Sequence, residues 1–367
     1  MKYLILLLVV SLLGSTVACA EPLHSEPIRV AVVNAAESVR VDGDGILATD
    51  DQGMPLRLQF PVQIGRNRDR LLVQGQSLRE IHMAGPGIIR VNGKGYRGLI
   101  QVSPGERGIL VVDELPLEEY LVGLINCEIS SLWPMEAVKA QAVIARTYAL
   151  YQKEARKNAR YHLESSVLDQ VYDGCDVEDS RAARAVQETA GEVLTYDGKV
   201  IQAFYHSNCG GHTESAANVW GGDLPYLRGV ECRYCKTTPA GHWQQRLSLR
   251  KIESLLKNAG YQASGLREVR TGRVNESGRL RELILVTPRG EQTIPAVGFR
   301  KAIGYSVIKS TNFTIHPQKD DLLFDGIGNG HGVGLCQWGA RQRAEAGFSY
   351  REILEYYYPG VRLEKLY

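Results

Sequence analysis

The spacing of hydrophobic and polar positions changes along the chain, from one typical of strands to one typical of helices. Between residues 28 and 112, short apolar runs such as "IRVAVVN", "RLLVQG" and "RGILVVD" are separated by Gly, Asp and Asn turns. Such runs predict short strands arranged in meanders. Beyond them, apolar residues recur at i, i+3, i+4 and i+7, at Leu117, Tyr120, Leu121 and Leu124. This spacing predicts a helix, with Glu128 at its end or in the connection after it.

A second helix is predicted to begin at Pro134, which suits the first helical position, with Glu136 in the first turn, where a negative charge suits the helix dipole. One face of this helix is apolar and rich in alanine, at Met135, Val138, Ala142, Ala145 and Ala149. A third helix is expected near residues 178–189. The segment "EVLTYDGKVIQAFYHS" then predicts two strands joined by an Asp197-Gly198 turn.

Five glycines between residues 326 and 334 predict close backbone approach or positive φ in that segment. Taken together, the patterns predict an α+β fold. It comprises a β-rich N-terminal region, residues 21–112, and a mixed helical core with β-hairpins, residues 113–367.

Residues 1–20 resemble an export signal, with Lys2, an apolar run from Leu4 to Leu13, and small residues up to Ala20. The run is too short for a spanning helix, so no transmembrane segment is expected in the mature chain. An alternative reading is a lipoprotein box, with Cys19 as the lipidated residue. Both readings predict an exported protein, located in the periplasm or in the extracellular cell envelope.

Composition and charge narrow the choice of partner. The chain has 367 residues, 44% of them hydrophobic, which is enough for a sizeable core. Its 43 basic and 41 acidic residues give a net charge of +2, so no electrostatic case exists for nucleic acid as a partner. The substrate must therefore be sought in a local site.

Six cysteines follow the export signal: Cys127, Cys175, Cys209, Cys232, Cys235 and Cys336. An even number in an exported protein favours disulfides. The two-residue spacing between Cys232 and Cys235 favours a metal site instead, because it suits two thiolates on one ion.

Three blocks and a closing motif carry a resemblance. They are "LPLEEYLVGLINCEISSLWPMEAVKAQAVIARTYAL", "AFYHSNCGGHTES", "GNGHGVGLCQWGARQRAEAG" and "ILEYYYPG". In this order they resemble the core of the family that contains the stage II sporulation protein D and the LytB amidase enhancer. The resemblance runs from about residue 110 to residue 363.

The resemblance implies that residues 113–367 form the catalytic domain of a peptidoglycan lytic transglycosylase. Its implied catalytic residue is Glu128, the glutamate that precedes the Trp-Pro helix start. The implied partners are glycan strands, which are stripped of peptide stems for the sporulation enzyme, and a cell-wall amidase.

A physical argument for Glu128 stands beside the family argument. A carboxylic acid must be protonated to assist glycosidic bond cleavage, and an apolar setting raises the pKa of a glutamate above about 4.3. The apolar neighbours in sequence are Ile125, Ile129, Leu132 and Trp133. The structural alternative is that Glu128 is a helix cap or forms an ion pair with Arg146.

Six other polar residues in or near the blocks are candidates for substrate binding: Gln141, Arg146, Tyr148, Gln170, His206 and His331. Hydrogen bonds within the core are the structural alternative for each of them.

The chemistry is expected to need no cofactor, and a structural zinc ion is one of two states considered for the cysteines. The resemblance implies a His/Cys zinc cluster just upstream of Gln170 in the sporulation relatives, whereas this chain has only His162 there. Cys209, Cys232 and Cys235 provide three thiols elsewhere. The fourth ligand is expected to be His212, with His206 and His242 as alternatives, and disulfides remain the competing state.

Three further hypotheses follow from the sequence. One, which the amidase enhancer in the resembling family implies, is a noncatalytic module that binds cell-wall glycan and stimulates an amidase. Another makes Cys127 a thiol nucleophile with His331 as its base. The third is a disulfide between Cys127 and Cys336, which stand in two different family blocks.

Overall fold

The computed structural model describes residues 26–235, residue 238 and residues 241–367. The expected export signal and Cys19 lie outside these residues. The observed fold is α+β, as the sequence predicts. No helix in the described part of the chain is long and apolar enough to cross a membrane.

The N-terminal region consists of short strands, as their apolar runs predict. They are β1 (Pro27–Ala36), β2 (Ser38–Asp42), β3 (Leu47–Asp50), β4 (Pro55–Leu56), β5 (Val62–Asn67), β6 (Arg70–Val73), β7 (Gln76–Leu78), β8 (Ile81–Ala84), β9 (Ile89–Val91), β10 (Lys94–Tyr96), β11 (Leu99–Pro104) and β12 (Ile109–Pro116). A later strand, β13 (Leu163–Glu164), pairs in parallel with β1. They form a sheet of order β13-β1-β12-β11-β8-β3-β4 and a second of order β10-β9-β2-β5-β6-β7.

Three helices follow these sheets: α1 (Leu117–Glu128), α2 (Met135–Ala155) and α3 (Ser180–Glu188), with a 3-10 turn at Gly174–Val177. The helix α2 begins one residue later than predicted, because Pro134 is extended and serves as the N-cap. The apolar faces of the helices share one core with the β-rich region. The boundary placed after residue 112 falls inside β12, so the sheet continues across it.

The next elements are β14 (Glu192–Tyr196), β15 (Lys199–Val200), β16 (Tyr205–His206) and α4 (Ala216–Trp220). Asp197 and Gly198 both have positive φ, as a tight hairpin turn requires. The predicted second strand is interrupted after β15, however. Its end forms β16, which pairs in parallel with β23 (Leu335–Cys336) because that partner reaches it from the glycine-rich segment.

A third group of elements has its own core, which includes Trp243, Leu283 and Phe299. It comprises β17 (His242–Ser248), α5 (Leu249–Asn258), β18 (Glu268–Thr271), β19 (Glu282–Thr287), β20 (Gly290–Pro295), α6 (Ala296–Ile303), β21 (Phe313–Gln318) and β22 (Asp321–Ile327). The strands form two sheets, β17-β22-β21 and β18-β19-β20.

After β23 the chain returns to the second helix. The elements α7 (Gln337–Glu345), α8 (Tyr350–Tyr357) and β24 (Arg362–Lys365) complete the fold. The strand β24 pairs with β14, and both helices pack on α2. Their contacts form a further core, which includes Ile144, Leu335 and Tyr357. The end of α1, strand β16 and the start of α7 therefore meet where these cores adjoin.

Candidate active site

Glu128 is the last residue of α1. The helix ends there because Ile129 is extended, with φ −142° and ψ 164°. Ile125 and Ile129 on either side are buried in the core. These two anchors hold the Glu128 side chain at a fixed position on the helix end.

Three groups contact the Glu128 carboxylate. The backbone N–H of Val171 donates to Oε1 at 3.0 Å, and the side chains of Tyr205 and Gln337 also form hydrogen bonds with Glu128. Burial raises the pKa of Glu128 above the ordinary glutamate value, whereas the three hydrogen bonds act in the opposite direction. Desolvation is the larger effect, so the protonated form is favoured relative to a solvated glutamate.

Glu128 faces a cleft of about 840 Å³, which is within the usual range for ligand pockets. Trp220, at the end of α4, lies in the wall of this cleft and is 50% exposed. Its ring centroid is 4.3 Å from that of Phe204 and 5.1 Å from that of His331. The three rings form an aromatic platform, defined here as Phe204, Trp220 and His331.

Another part of the cleft lining comes from the third group of elements. Its lining residues there are Val297, Arg300, Tyr305, Ser306 and Thr311. The guanidinium of Arg300 lies 4.7 Å from the ring centroid of Tyr305, and its Nε donates to the carbonyl oxygen of Ile308 at 2.8 Å. These contacts hold a cation and an aromatic ring in the wall of the cleft.

Gln170 and Gln141 lie behind the residues that contact Glu128. Gln170 is buried; its Nε2 donates to the Tyr205 hydroxyl at 3.1 Å, and its Oε1 accepts from the Tyr120 hydroxyl at 3.1 Å. The Oε1 of Gln141 accepts from Nε2 of Gln337 at 3.4 Å. The structure thus places both predicted glutamines where they orient the partners of Glu128, outside the cleft lining.

Tyr148, His206 and His331 do line the cleft. The Tyr148 hydroxyl donates to Oδ1 of Asp169 at 3.2 Å. His206 Nδ1 lies 3.1 Å from the Val333 carbonyl oxygen, and His331 Nδ1 accepts from the Val333 N–H at 3.0 Å. Burial and nearby arginines lower the pKa of His331 to about 3, so this imidazole is neutral at physiological pH.

Arg146 is placed in the core instead of the cleft. Its Nε and Nη2 donate to the two carboxylate oxygens of Glu118, each at 2.7 Å, and the side chain is fully buried. It also donates to two backbone carbonyl oxygens. The ion pair with Glu128 that the sequence left open does not form, because Glu118 takes that role.

Leu132 does not desolvate Glu128, contrary to the expectation from its position in sequence. The Leu132 side chain is 80% exposed, because it lies in the turn between α1 and α2 and points to solvent. Trp133 packs against Trp338, with ring centroids 5.2 Å apart. Residues that are distant in sequence and line the cleft supply the low-polarity surroundings of Glu128 instead.

Asp169 is a second carboxylate in the cleft lining. Both of its oxygens are engaged by Arg156, at 2.6 and 3.1 Å, and Oδ2 also accepts from the Glu164 N–H. Asp169 is therefore paired with a cation, whereas Glu128 contacts only neutral donors. The two acids of the cleft have opposite electrostatic surroundings.

The thiol of Cys127 also lines the cleft, but its chemistry does not suit a nucleophile. Burial raises the pKa of Cys127 to about 11, and its S–H donates to the Gly123 carbonyl oxygen at 3.4 Å. The predicted disulfide with Cys336 is wrong. Both are free thiols, and Cys336 lies among three other cysteines.

The predicted zinc ligands are brought together in part. Cys209, Cys232 and Cys235 form a buried cluster, but its fourth member is Cys336 instead of His212. The Nδ1 of His212 lies 2.6 Å from the Thr213 carbonyl oxygen. Of the alternatives, His242 pairs with Asp325 at 2.8 Å, whereas His206 lines the cleft as described above.

The position around His162, where the family resemblance implies a zinc cluster, does not fit a metal in this chain. His162 Nδ1 accepts from the Arg29 backbone N–H at 3.1 Å, and Nε2 lies 3.0 Å from Nη2 of the same arginine. Burial and the Arg29 charge lower the pKa of His162 to about 4. Both ring nitrogens are engaged, and the cation beside them would repel a metal ion.

Sequence reasoning missed Tyr205, Gln337 and Trp220. Tyr205 and Gln337 stand next to the predicted residues His206 and Cys336 in two of the family blocks. This adjacency in sequence was the available signal. Because β16 pairs with β23, the residues next to His206 and Cys336 also lie close together. Nothing local distinguishes Trp220, whose place follows from the packing of α4.

The fold and this site define a class: an α+β protein with a desolvated glutamate in the lining of a partly aromatic cleft. A family model described as "Stage II sporulation protein" matches residues 105–196. A second, described as a domain of unknown function, matches residues 234–334. The latter match covers the whole third group of elements, including the cleft wall around Arg300.

Three relatives are similar to this chain over longer stretches than the family models cover. An uncharacterized protein of Brachyspira hyodysenteriae is 36% identical over 273 residues, covering 74% of this chain and 73% of the relative. The amidase enhancer of Bacillus subtilis is 29% identical over 66% of this chain and 40% of its own length. Stage II sporulation protein D of Bacillus amyloliquefaciens is 29% identical over 69% of this chain and 76% of its own length. The chain belongs to the family of stage II sporulation protein D and the LytB amidase enhancer.

Proposed function

We propose that this protein is a peptidoglycan lytic transglycosylase that cleaves glycan strands with Glu128 as its general acid and base. Family membership supports a cell-wall-related function and an extracytoplasmic location. The observation that carries the proposal is the protonation-favouring environment of Glu128 in the lining of the cleft.

The reaction needs one carboxyl group that acts twice. Protonated Glu128 donates its proton to the glycosidic oxygen while the bond from that oxygen to C1 breaks. The resulting carboxylate then accepts the proton of the C6 hydroxyl of the same sugar, whose oxygen bonds to C1. The product carries a 1,6-anhydro ring, no water is consumed, and Glu128 is returned to its protonated form.

The contacts of Glu128 suit both halves of this cycle. Desolvation favours the acid before cleavage, and the donors from Val171, Tyr205 and Gln337 stabilise the anion after it. The Asp169 carboxylate is engaged by Arg156, whereas the Glu128 carboxyl group contacts only neutral donors. A mechanism with a single acid and base therefore matches this cleft better than one with two equivalent carboxylates.

Product analysis tests the proposal directly. Purified glycan strands, with and without stem peptides, are incubated with the full chain, and the products are analysed by mass spectrometry. We expect 1,6-anhydromuramyl ends. Reducing ends that carry an added water would instead identify a hydrolase, and the two substrates compared side by side reveal any preference for stripped strands.

A second candidate function is stimulation of a cell-wall amidase without cleavage. The observation that favours it is the 29% identity to a relative named amidase enhancer. It predicts that the chain alone releases no glycan fragments but raises the rate of an amidase on intact peptidoglycan. The Glu128→Gln variant would then stimulate as well as the natural chain.

The pH dependence of cleavage should move when Tyr205 is changed to Phe. The Tyr205 hydroxyl lowers the pKa of Glu128 by stabilising its anion, so its loss should raise that pKa further. Since cleavage requires protonated Glu128, activity falls as pH rises through this pKa, and the alkaline limb should shift to higher pH. The measurement is the pH profile of kcat/KM.

Tyr151→Phe is the matched control, because Tyr151 is not part of the cleft lining. Tyr151→Phe should leave the alkaline limb of the pH profile unchanged. A Tyr205→Phe profile that keeps the original limb, or moves it to lower pH, would contradict the assigned contact.

Replacing Trp220 with Ala should weaken glycan binding with little loss of stability, since half of the side chain is already exposed. Loss of a stacking surface worth about 0.5–1.5 kcal/mol corresponds to a rise in KM of roughly twofold to twelvefold. Trp220→Phe should retain most of the affinity, and Leu132→Ala, an exposed apolar residue outside the cleft lining, should have no effect. An unchanged KM for Trp220→Ala would show that the aromatic platform does not bind the glycan.

A further inference from the structure

Four cysteine sulfur atoms converge at one buried point. They belong to Cys209, Cys232, Cys235 and Cys336, all fully buried, and all four atoms lie within 4.8 Å of one another. The shortest separation given by the structure is 3.1 Å, between the sulfur atoms of Cys209 and Cys235. Zinc–sulfur bonds of about 2.3 Å in a tetrahedron place sulfur atoms about 3.8 Å apart, so the cluster has the dimensions of a single-ion site.

The backbone around Cys336 is arranged to stabilise a thiolate. Its sulfur atom accepts the N–H of Cys209 at 3.3 Å and the N–H of Gly339 at 3.4 Å. The second donor belongs to the first turn of α7, where the helix dipole favours negative charge. A Cβ at Gly339 would lie 2.6 Å from the sulfur atom of Cys232, so only glycine lets the helix approach the cluster this closely.

A buried cation lies beside the cluster. Arg279 is 1% exposed, its Nη2 donates to the Cys209 carbonyl oxygen at 3.1 Å, and its charge interacts with Cys209, Cys235 and Cys336. Its Nε has no hydrogen-bond partner in the described part of the chain. Four thiolates and one divalent ion carry a net double negative charge, which this guanidinium partly offsets.

We propose that Cys209, Cys232, Cys235 and Cys336 bind one structural zinc ion. The thiols give up four protons as the ion binds, and the four sulfur atoms fill a tetrahedral shell. No coordination position remains for water or substrate, so the site stabilises the fold and does not act on the glycan. An iron–sulfur cluster, with several metal atoms between its thiolates, needs more space than this cluster provides.

The four-cysteine site is directly connected to the candidate active site. Cys336 immediately precedes Gln337, which contacts Glu128. In the parallel pair of β16 and β23, Cys336 is the partner of His206, the residue after Tyr205. The zinc ion therefore joins three chain segments directly behind the two side chains that contact Glu128. Its loss should destabilise this wall of the cleft as well as the fold around it.

The test begins with the natural full chain, purified without chelator or reductant, so it does not depend on a variant that folds. Elemental analysis should find about one equivalent of zinc. Titration with a mercurial should release this zinc as four buried thiols react. A strong chelator should lower the thermal midpoint by at least about 10 °C, and added zinc should restore it.

Variants locate the ion. Cys232→Ser and Cys336→Ser should each lose most of the bound zinc, whereas Cys175→Ser, a free thiol outside the cluster, should retain it. Protein without metal, in which thiol counting finds these four cysteines oxidised, would overturn the proposal in favour of disulfides. One equivalent of iron would overturn the assignment to zinc, and zinc retained by both cluster variants would overturn the ligand set.

Discussion

Changing Glu128 to Gln is expected to lower the rate of glycan cleavage about 10²- to 10⁴-fold, the usual contribution of a general acid or base. Glutamine keeps the shape of the side chain and can still accept the Val171 N–H, but it has no proton to transfer. Glycan binding and the thermal midpoint should change little, because the charge removed is one that burial already disfavours. The rate of 1,6-anhydro product formation is the measurement.

Glu119→Gln provides the matched control, since Glu119 is an exposed glutamate on the same helix. It should retain full activity. If Glu128→Gln forms anhydro products at the natural rate, Glu128 is not the acid. If neither the natural chain nor the variant forms products but both stimulate an amidase, the noncatalytic function holds instead.

Changing Glu118 to Gln should greatly lower the free energy of unfolding. The variant leaves the Arg146 guanidinium buried without its carboxylate partner, and breaking a buried ion pair in this way costs about 3–5 kcal/mol. The measurement is the free energy of unfolding from urea denaturation. Cleavage by the protein that remains folded should persist, because Arg146 does not line the cleft.

An exposed ion pair supplies the control for this prediction. Glu154 pairs with Lys157 at 2.8 Å, but both side chains are mostly exposed. Glu154→Gln should therefore cost no more than about 0.5 kcal/mol. Equal effects of the two substitutions would mean that the Glu118–Arg146 pair contributes no more than a surface contact.

The local features of the helices could be predicted from the sequence. The apolar spacing from Leu117 to Leu124 predicts α1, and α1 does end at Glu128. Pro134 predicts the start of α2 to within one residue. These features depend on interactions within one or two turns, which is the range that periodicity and capping residues report.

Contacts between distant segments could not be predicted in the same way. Leu132 is close to Glu128 in sequence but points to solvent, whereas Tyr205 and Gln337 are distant in sequence and contact its carboxylate. The fourth cysteine of the cluster lies 127 residues from Cys209. The strand that ends at His206 was expected in a hairpin, but its partner arrives from residues 335–336.

The amino-acid sequence by itself determined the α+β class, the position of Glu128 at a helix end or just after it, and three of the four cysteines that cluster. Each of these follows from residue types and short spacings. Tertiary structure decided what desolvates Glu128, which glutamate pairs with Arg146 and which fourth thiol completes the cluster. The reason is physical: burial and pairing depend on which side chains long-range packing brings within a few ångströms, and residue spacing along the chain does not determine those distances.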